Sequence, residues 1–208
     1  MRNNYDRIAN YYDTLSRLVF FKSQVNAQIN QLHHVPQNSK VLIVGGGTGW
    51  ILEELTKVHH TGLKIVYVEI SAKMIALSQK RNYGGNQVGF INLGIEDFNA
   101  DTAFDVVLTP FLFDNFAEQR ASKVFMQLNA YLKQGGLWFL VDFSLNKNNG
   151  KWWKWLLLKS MYSFFKLLHI VEADDLIDMD PYFLQADYEI LEEHLYYGGF
   201  IRATIFKK

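Results

Sequence analysis

The sequence predicts an α/β fold: a mainly parallel sheet of seven strands, helices on both faces, and an antiparallel hairpin at the C-terminal end. Three observations carry this. Short apolar runs alternate with helical stretches through residue 143, the pattern of right-handed strand–helix–strand units. Those runs are apolar almost throughout, as strands are when both faces of a sheet are covered. The alternation then stops, and two extended segments follow with Gly198 and Gly199 near their junction, which pairs them antiparallel.

The elements fall out in order. Residues 40–44 (KVLIV) form a strand that runs into glycines, and residues 49–59 fit a helix. Residues 63–69 (LKIVYVE) are a second strand, and residues 72–82 a helix introduced by Ser71 as N-cap. Residues 87–92 are a third strand, short of apolar residues, and residues 104–109 (FDVVLT) a fourth. Residues 117–132 are amphipathic, with Val124, Leu128, Tyr131 and Leu132 at helical spacing, and Gly135 and Gly136 stop that helix. Residues 137–143 (LWFLVDF) are a fifth strand, residues 151–168 a helix rich in Trp and Phe, and residues 184–194 and 200–206 the closing pair.

Composition excludes several classes of function. The chain has 208 residues, enough for a full core without staples, and no cysteine, so disulfides, thiolate metal sites and thiol nucleophiles are out. Lys plus Arg and Asp plus Glu both number 21, so no basic excess points to nucleic acid. The opening MRNNYDRIANYYD has no apolar run behind a basic start, and no uncharged stretch reaches 18 apolar residues. The expected address is the cytoplasm. The histidines include two adjacent pairs, His33–His34 and His59–His60; helical neighbours point about 100° apart, so no metal site is expected.

The sharpest motif is VLIVGGGTGW, residues 41–50. A strand, four glycines in five residues and a helix let the backbone approach a ligand closely at a helix N-terminus. The dinucleotide pattern G-x-G-x-x-G would need a glycine where Trp50 stands, which argues against a nicotinamide oxidoreductase. Gly45, Gly47 and Gly49 instead fit G-x-G-x-G. Glu69 follows Gly49 by 20 residues at the end of the second strand, placed to accept ribose 2′- and 3′-hydroxyls; the alternative is a solvated strand-end carboxylate.

These residues resemble the class I S-adenosylmethionine-dependent methyltransferases, whose sheet is Rossmann-like with seven strands. YVEIS (67–71), NLGIEDF (92–98), FDVVLTPFLFDNF (104–116) and LKQGGLWFLVDFS (132–144) continue the likeness. The resemblance implies S-adenosylmethionine as cofactor and S-adenosylhomocysteine as product. It implies cofactor contacts from Gly45, Gly46, Gly47, Gly49, Glu69, Ile70, Met74, Ile95, Glu96 and Thr109. YDRIANYYD (5–13) resembles the start of a subgroup that includes ubiquinone and menaquinone C-methyltransferases, where an N-terminal helix covers the cofactor and a tyrosine near Tyr12 reaches it. Two positions depart from the pattern: Ile43 replaces an acid before the first glycine, and Gly94 an aspartate at the adenine edge.

The implied chemistry is in-line methyl transfer to a small, hydrophobic or aromatic acceptor, in which the protein mainly orients the reactants. Acceptor contacts are expected from Tyr12, Phe111, Phe113, Asp114 and Asp142. The two aspartates are candidates for base or orienter, or else turn carboxylates, and no catalytic residue is assigned. The division is one domain over 1–208, with a helical cover at 1–35, a cofactor core at 38–145 and a helical lid at 150–180. On helix 151–168, Lys151, Lys154, Lys159 and Lys166 share one arc of about 140°. The helix is either an interfacial segment touching membrane or a core-packing helix open to dimerisation, with its lysines in water. A non-catalytic scaffold or sensor that binds the same cofactor is the alternative function.

Overall fold

The computed structural model describes residues 5, 6, 8–145, 151–167 and 175–208. Seven strands form one sheet in the order β3-β2-β1-β4-β5-β7-β6. They are β1 (Lys40–Val44), β2 (Thr61–Val68), β3 (Gly85–Ile91), β4 (Phe104–Pro110), β5 (Leu132–Phe143), β6 (Glu189–Tyr196) and β7 (Ile201–Lys207). β1 to β5 pair in parallel, and β7 lies antiparallel between β5 and β6. The helices are α1 (Tyr12–Phe20), α2 (Ser23–Ile29), α3 (Trp50–Val58), α4 (Ala72–Ser78), α5 (Glu118–Tyr131), α6 (Lys151–Leu167) and α7 (Asp180–Gln185). Among the described residues no helix is long and apolar enough to cross a membrane.

Side-chain alternation builds two cores from one sheet. Val41 and Ile43 of β1 face α3, where they meet Ile51, Leu52 and Leu55. Leu42 and Val44 point the other way, into a core shared with Val124, Phe125 and Leu128 of α5. Trp138 of β5 is buried there, stacked on Phe125 at 5.3 Å and edge-on to Phe183 at 5.0 Å. A third cluster joins Phe20 of α1 and Leu158 and Tyr162 of α6 to Phe143 and Ile201 at the ends of β5 and β7.

Three expectations from the sequence are corrected. Residues 184–194 do not form one strand: Asp180–Gln185 is a helix and β6 starts at Glu189. Pro181 sits in the first turn, where its fixed φ favours a helix, and Phe183 turns inward to stack on Phe206 at 3.8 Å. Gly135 and Gly136 do not end α5, which stops at Tyr131; they lie in a bulge of β5, where Leu132 faces Phe104 and Leu137 faces Val106. A Cβ on Gly136 would stand 2.9 Å from the Lys133 carbonyl. The lysine arc of α6 is also not all solvent-facing. Lys154 shares the buried stripe of Leu158 and Tyr162, four residues apart each, while Trp152, Trp155 and Leu156 are exposed. Residue 168 of the expected helix and residues 146–150 and 168–174 around the lid lie outside the described residues.

Phe183 joins α7 to the sheet through Trp138 and Phe206 and to α5 through Phe125. Phe183→Ala is expected to lower unfolding free energy by about 3–5 kcal/mol, read from urea unfolding of the parent and variant.

Candidate functional site

The site lies beyond the C-terminal ends of β1, β2 and β4. Gly45, Gly47 and Gly49 adopt φ of +70°, +63° and +80° as the chain leaves β1 for α3. Gly46 is required for a different reason: a Cβ there would fall 2.4 Å from the Tyr67 hydroxyl. Tyr67, buried on β2, donates its hydroxyl to the Gly47 carbonyl at 3.0 Å and props the loop from below.

Glu69 is buried beside this loop and is no solvated strand end. Its Oε2 accepts the Gly47 N–H at 3.0 Å and its Oε1 the Ser71 N–H at 2.9 Å. Burial pushes its pKa up, and these backbone N–H groups pull it back. A carboxylate has about four lone-pair sites, so two bound amides leave room for two hydroxyl donors. That is the donor count of a ribose diol, and the residues present fit the adenosyl group the sequence implies.

A solvent-open cavity of about 1000 Å³ runs along the loop. Gly45, Gly46, Gly47, Glu69, Ile70, Met74, Ile95, Tyr12 and Phe111 all stand on its wall. Three expected cofactor contacts lie elsewhere. Gly49 caps α3 and faces Ser78, whose Cβ would be 2.4 Å from an added Cβ. Glu96 pairs with Arg120 instead of lining the cavity. Thr109 is in the core, where its hydroxyl accepts the Trp138 Nε1–H at 2.9 Å. Gly94 lines the cavity at the expected adenine edge, and so does Arg120, which sequence reasoning missed.

The N-terminal segment closes the cavity through two aspartates that the sequence analysis did not single out. Asp13 on α1 accepts the Thr48 hydroxyl at 2.8 Å and pairs with Arg81 at 3.2 Å. Arg81 also donates Nε–H to the Thr48 carbonyl at 3.0 Å, so α1, the glycine loop and the end of α4 are tied at one point. Asp6 accepts the Ser71 hydroxyl and the Lys73 N–H at 3.1 Å. Tyr5 and Tyr12 meet edge to face at 5.6 Å, and burial raises both phenols' pKa values. The available signal was spacing: Asp6 and Asp13 are seven apart, at the two ends of one aromatic segment.

A second cavity, also open to solvent, abuts the first and shares Tyr5, Tyr12, Ser16, Gln24, Phe111 and Asn115 with it. Its far wall is apolar, from Leu15 and Val19 of α1 to Leu157 and Met161 of α6. Asp114 is its one carboxylate among the described residues. A polar chain crosses the shared wall: Tyr5 donates to Asn115 Oδ1, and Asn115 donates to Asp114 Oδ1 at 2.7 Å. Asp142 does not line either cavity. It sits behind the 113–115 turn and accepts the N–H groups of Phe113 and Asp114 at 3.2 Å and of Phe143 at 2.9 Å. Phe113 also turns away, into the core against Trp138 and Phe116. Burial pushes the Asp142 carboxyl up to about 7, and burial plus the Asp142 charge pushes Asp114 well above the usual carboxylate range.

Residues 41–136 match the methyltransferase-domain family. The chain is 26% identical to a ubiquinone/menaquinone biosynthesis C-methyltransferase of Geotalea daltonii, over 78% of this chain and 68% of that one. It is 28% identical to the protein of the same name from Geobacter sulfurreducens, over 80% of this chain and 64% of that one. It therefore spans about two thirds of the length of these relatives. Among solved structures it is similar to the 1,6-didemethyltoxoflavin-N1-methyltransferase of Burkholderia thailandensis with bound 1,6-didemethyltoxoflavin and S-adenosylhomocysteine. There the TM-score is 0.68 at 13% identity, covering 98% of this chain and 85% of that one, a likeness of fold.

The carboxyl pair has a consequence for stability. An unfolded aspartate loses its proton near 3.8, whereas Asp142 holds its proton to about 7 and Asp114 is also pushed well above the usual carboxylate range. The folded chain therefore binds more protons than the unfolded chain in that interval, and this contribution to stability falls as pH rises from 3.8 towards 7. Urea midpoints measured across this range are expected to decline with pH. Asp114→Asn, which removes the like charge facing Asp142, is expected to flatten the decline.

Proposed function

We propose that this chain, a class I S-adenosylmethionine-dependent methyltransferase, methylates a small, largely apolar aromatic acceptor held in the second cavity. The observation that carries this is the shared wall: a cavity with the glycine loop and Glu69 abuts an apolar one whose one carboxylate among the described residues, Asp114, is hydrogen-bonded to Asn115 of that wall. In this proposal residues 1–35 act as a cover, 38–145 as the cofactor core and 150–180 as a lid over one domain. The names of the two relatives, C-methyltransferases of quinone biosynthesis, support a phenol or quinol ring as acceptor.

The cofactor supplies a methyl group already activated on a sulfonium. The chain's residues then have three tasks. Glu69 and the glycine loop hold the adenosyl end in place. Tyr5, Tyr12 and Phe111 stand between the two cavities and exclude water from the transfer path. Asp114 takes the proton that a phenolic acceptor sheds. A phenol titrates near 10, so the raised pKa of Asp114 narrows the gap between acceptor and base, as efficient proton transfer requires. Asp142 positions Asp114 by fixing the turn that carries it.

The lid side of the second cavity suits delivery from a lipid surface. Both helices that wall it, α1 and α6, also expose apolar side chains: Leu18 at 74% on α1, and Trp152 at 74% and Trp155 at 53% on α6. Lys159 shares the outer face of α6 and pairs with Asp175. Tryptophan with lysine on one helix face is the composition of a segment that lies in a membrane interface. Co-sedimentation with anionic vesicles is expected, and loss of it in Trp152→Ser/Trp155→Ser. A dimer in solution that ignores vesicles would instead assign the face to a second copy of the chain.

Calorimetry and turnover test the main proposal together. Glu69→Ala is expected to weaken S-adenosylhomocysteine binding by about 10- to 100-fold. Asp114→Asn is expected to leave that affinity unchanged while lowering methyl transfer to phenols and quinols by about 100-fold or more. Parent turnover should rise with pH through the neutral range, and the variant's should not. Equal loss of binding and turnover in Asp114→Asn would give Asp114 a purely structural role.

A further inference from the structure

A second cluster of ligand-type side chains lies away from both cavities, where the N-terminal cover meets the far edge of the sheet. After α2, the turn Leu32–His34 runs beside β6, the edge strand. Leu32 is buried in the core, which leaves His33 and His34 outside, against β6. The divergence expected of neighbouring histidines is not what the fold shows: the two rings have centroids 4.2 Å apart. His34 Nε2 lies 2.5 Å from Glu192 Oε2. One ligand atom from each of His33, His34 and Glu192 lies within 4.8 Å of the others.

We propose that His33, His34 and Glu192 bind a divalent transition-metal cation of the zinc type, which staples the N-terminal cover to β6. Two imidazoles and one carboxylate are the donors of a three-ligand tetrahedral site, with water in the fourth position. Calcium and magnesium prefer oxygen alone, so this set selects against them. Bond lengths of about 2.0–2.1 Å place tetrahedral ligand atoms roughly 3.4 Å apart, and the cluster reaches that spacing by side-chain rotation.

The surroundings match what metal ligands need. His33 Nδ1 lies 2.9 Å from the Asn30 carbonyl, so a proton on Nδ1 leaves the Nε2 lone pair free. His194 Nε2 lies 2.7 Å from the other Glu192 oxygen and orients the carboxylate from behind. His33 is exposed and His34 and Glu192 are only half-buried, so the cation and its water can enter. The site uses none of the methyl-transfer residues. Through α2 it would anchor the segment that carries Gln24 and Gln28 on the cofactor cavity wall.

The test uses the full chain, without a polyhistidine tag, stripped by chelator and titrated with Zn²⁺, Co²⁺ and Mg²⁺. One Zn²⁺ per chain is expected, with Co²⁺ giving the visible absorption of nitrogen–oxygen coordination and Mg²⁺ giving no saturable binding. Zn²⁺ should raise the melting temperature of the parent. His34→Ala and Glu192→Gln should each lower Zn²⁺ affinity at least about 10-fold and abolish that rise, while His60→Ala, outside the cluster, should change neither. Circular dichroism of the metal-free variants separates ligand loss from misfolding. Substoichiometric binding by the parent, or binding by folded His34→Ala and Glu192→Gln equal to the parent's, would overturn the proposal.

Discussion

The candidate site depends on one buried carboxylate held by backbone amides. Glu69 could sit at the end of β2 as a solvated charge, but the glycine loop folds over it and donates from Gly47, while Ser71 donates from the start of α4. Burying a charge is costly unless it is hydrogen-bonded, so the loop and the carboxylate require one another. Tyr67 fixes the other side of the same loop and leaves no room for a side chain at Gly46. Three consecutive parts of the chain are thereby set around one ligand-sized space before any ligand arrives, which is the preorganisation that methyl transfer needs.

The cover is attached by charged and polar contacts at the rim as well as by the apolar packing of Phe20. Asp6 and Asp13 grip the two ends of the cavity rim, through Ser71 and Lys73 at one and Thr48 and Arg81 at the other. Hydrogen bonds of this kind are individually modest, and each is partly exposed. Together they fix where the segment meets the rim of a cavity that is open to solvent.

The centre of the sheet was legible in the sequence because β1, β4 and β5 are near-continuous apolar runs and glycines follow β1. The region 184–194 was misassigned for a physical reason: the residues that start the helix, Pro181 and Phe183, lie before it, and Phe183 is held by partners distant in sequence, Phe125, Trp138 and Phe206. Site legibility followed the same rule. Glu69 and the glycines could be found from local spacing. Thr109 could not be excluded, because its burial against Trp138 depends on a neighbouring strand. Asp13, Arg81 and Arg120 were invisible because their partners lie 24 to 68 residues away along the chain. The lysine arc of α6 misled because its edge at Lys154 falls on the packed stripe of Leu158 and Tyr162, about 140° around the helix from Lys159.

The chain carries no net charge, yet acidic groups gather at one end of its sheet: Glu69, Asp114, Asp142, Asp6 and Asp13. Each is handled differently. Asp13 has Arg81, Asp142 has three backbone amides, and Asp114 is relieved mainly by keeping its proton. The part of this group that is ionised attracts a positive ligand across low-dielectric walls more strongly than it would in water. A sulfonium cofactor brings that positive charge, and its charge disappears as the methyl group leaves. The same acids that favour the charged cofactor therefore favour the neutral product less, an asymmetry that assists product release. Asp114, on the wall of the second cavity with its proton held well above the usual carboxylate range, is the member of this group that the proposed reaction would require to change its charge.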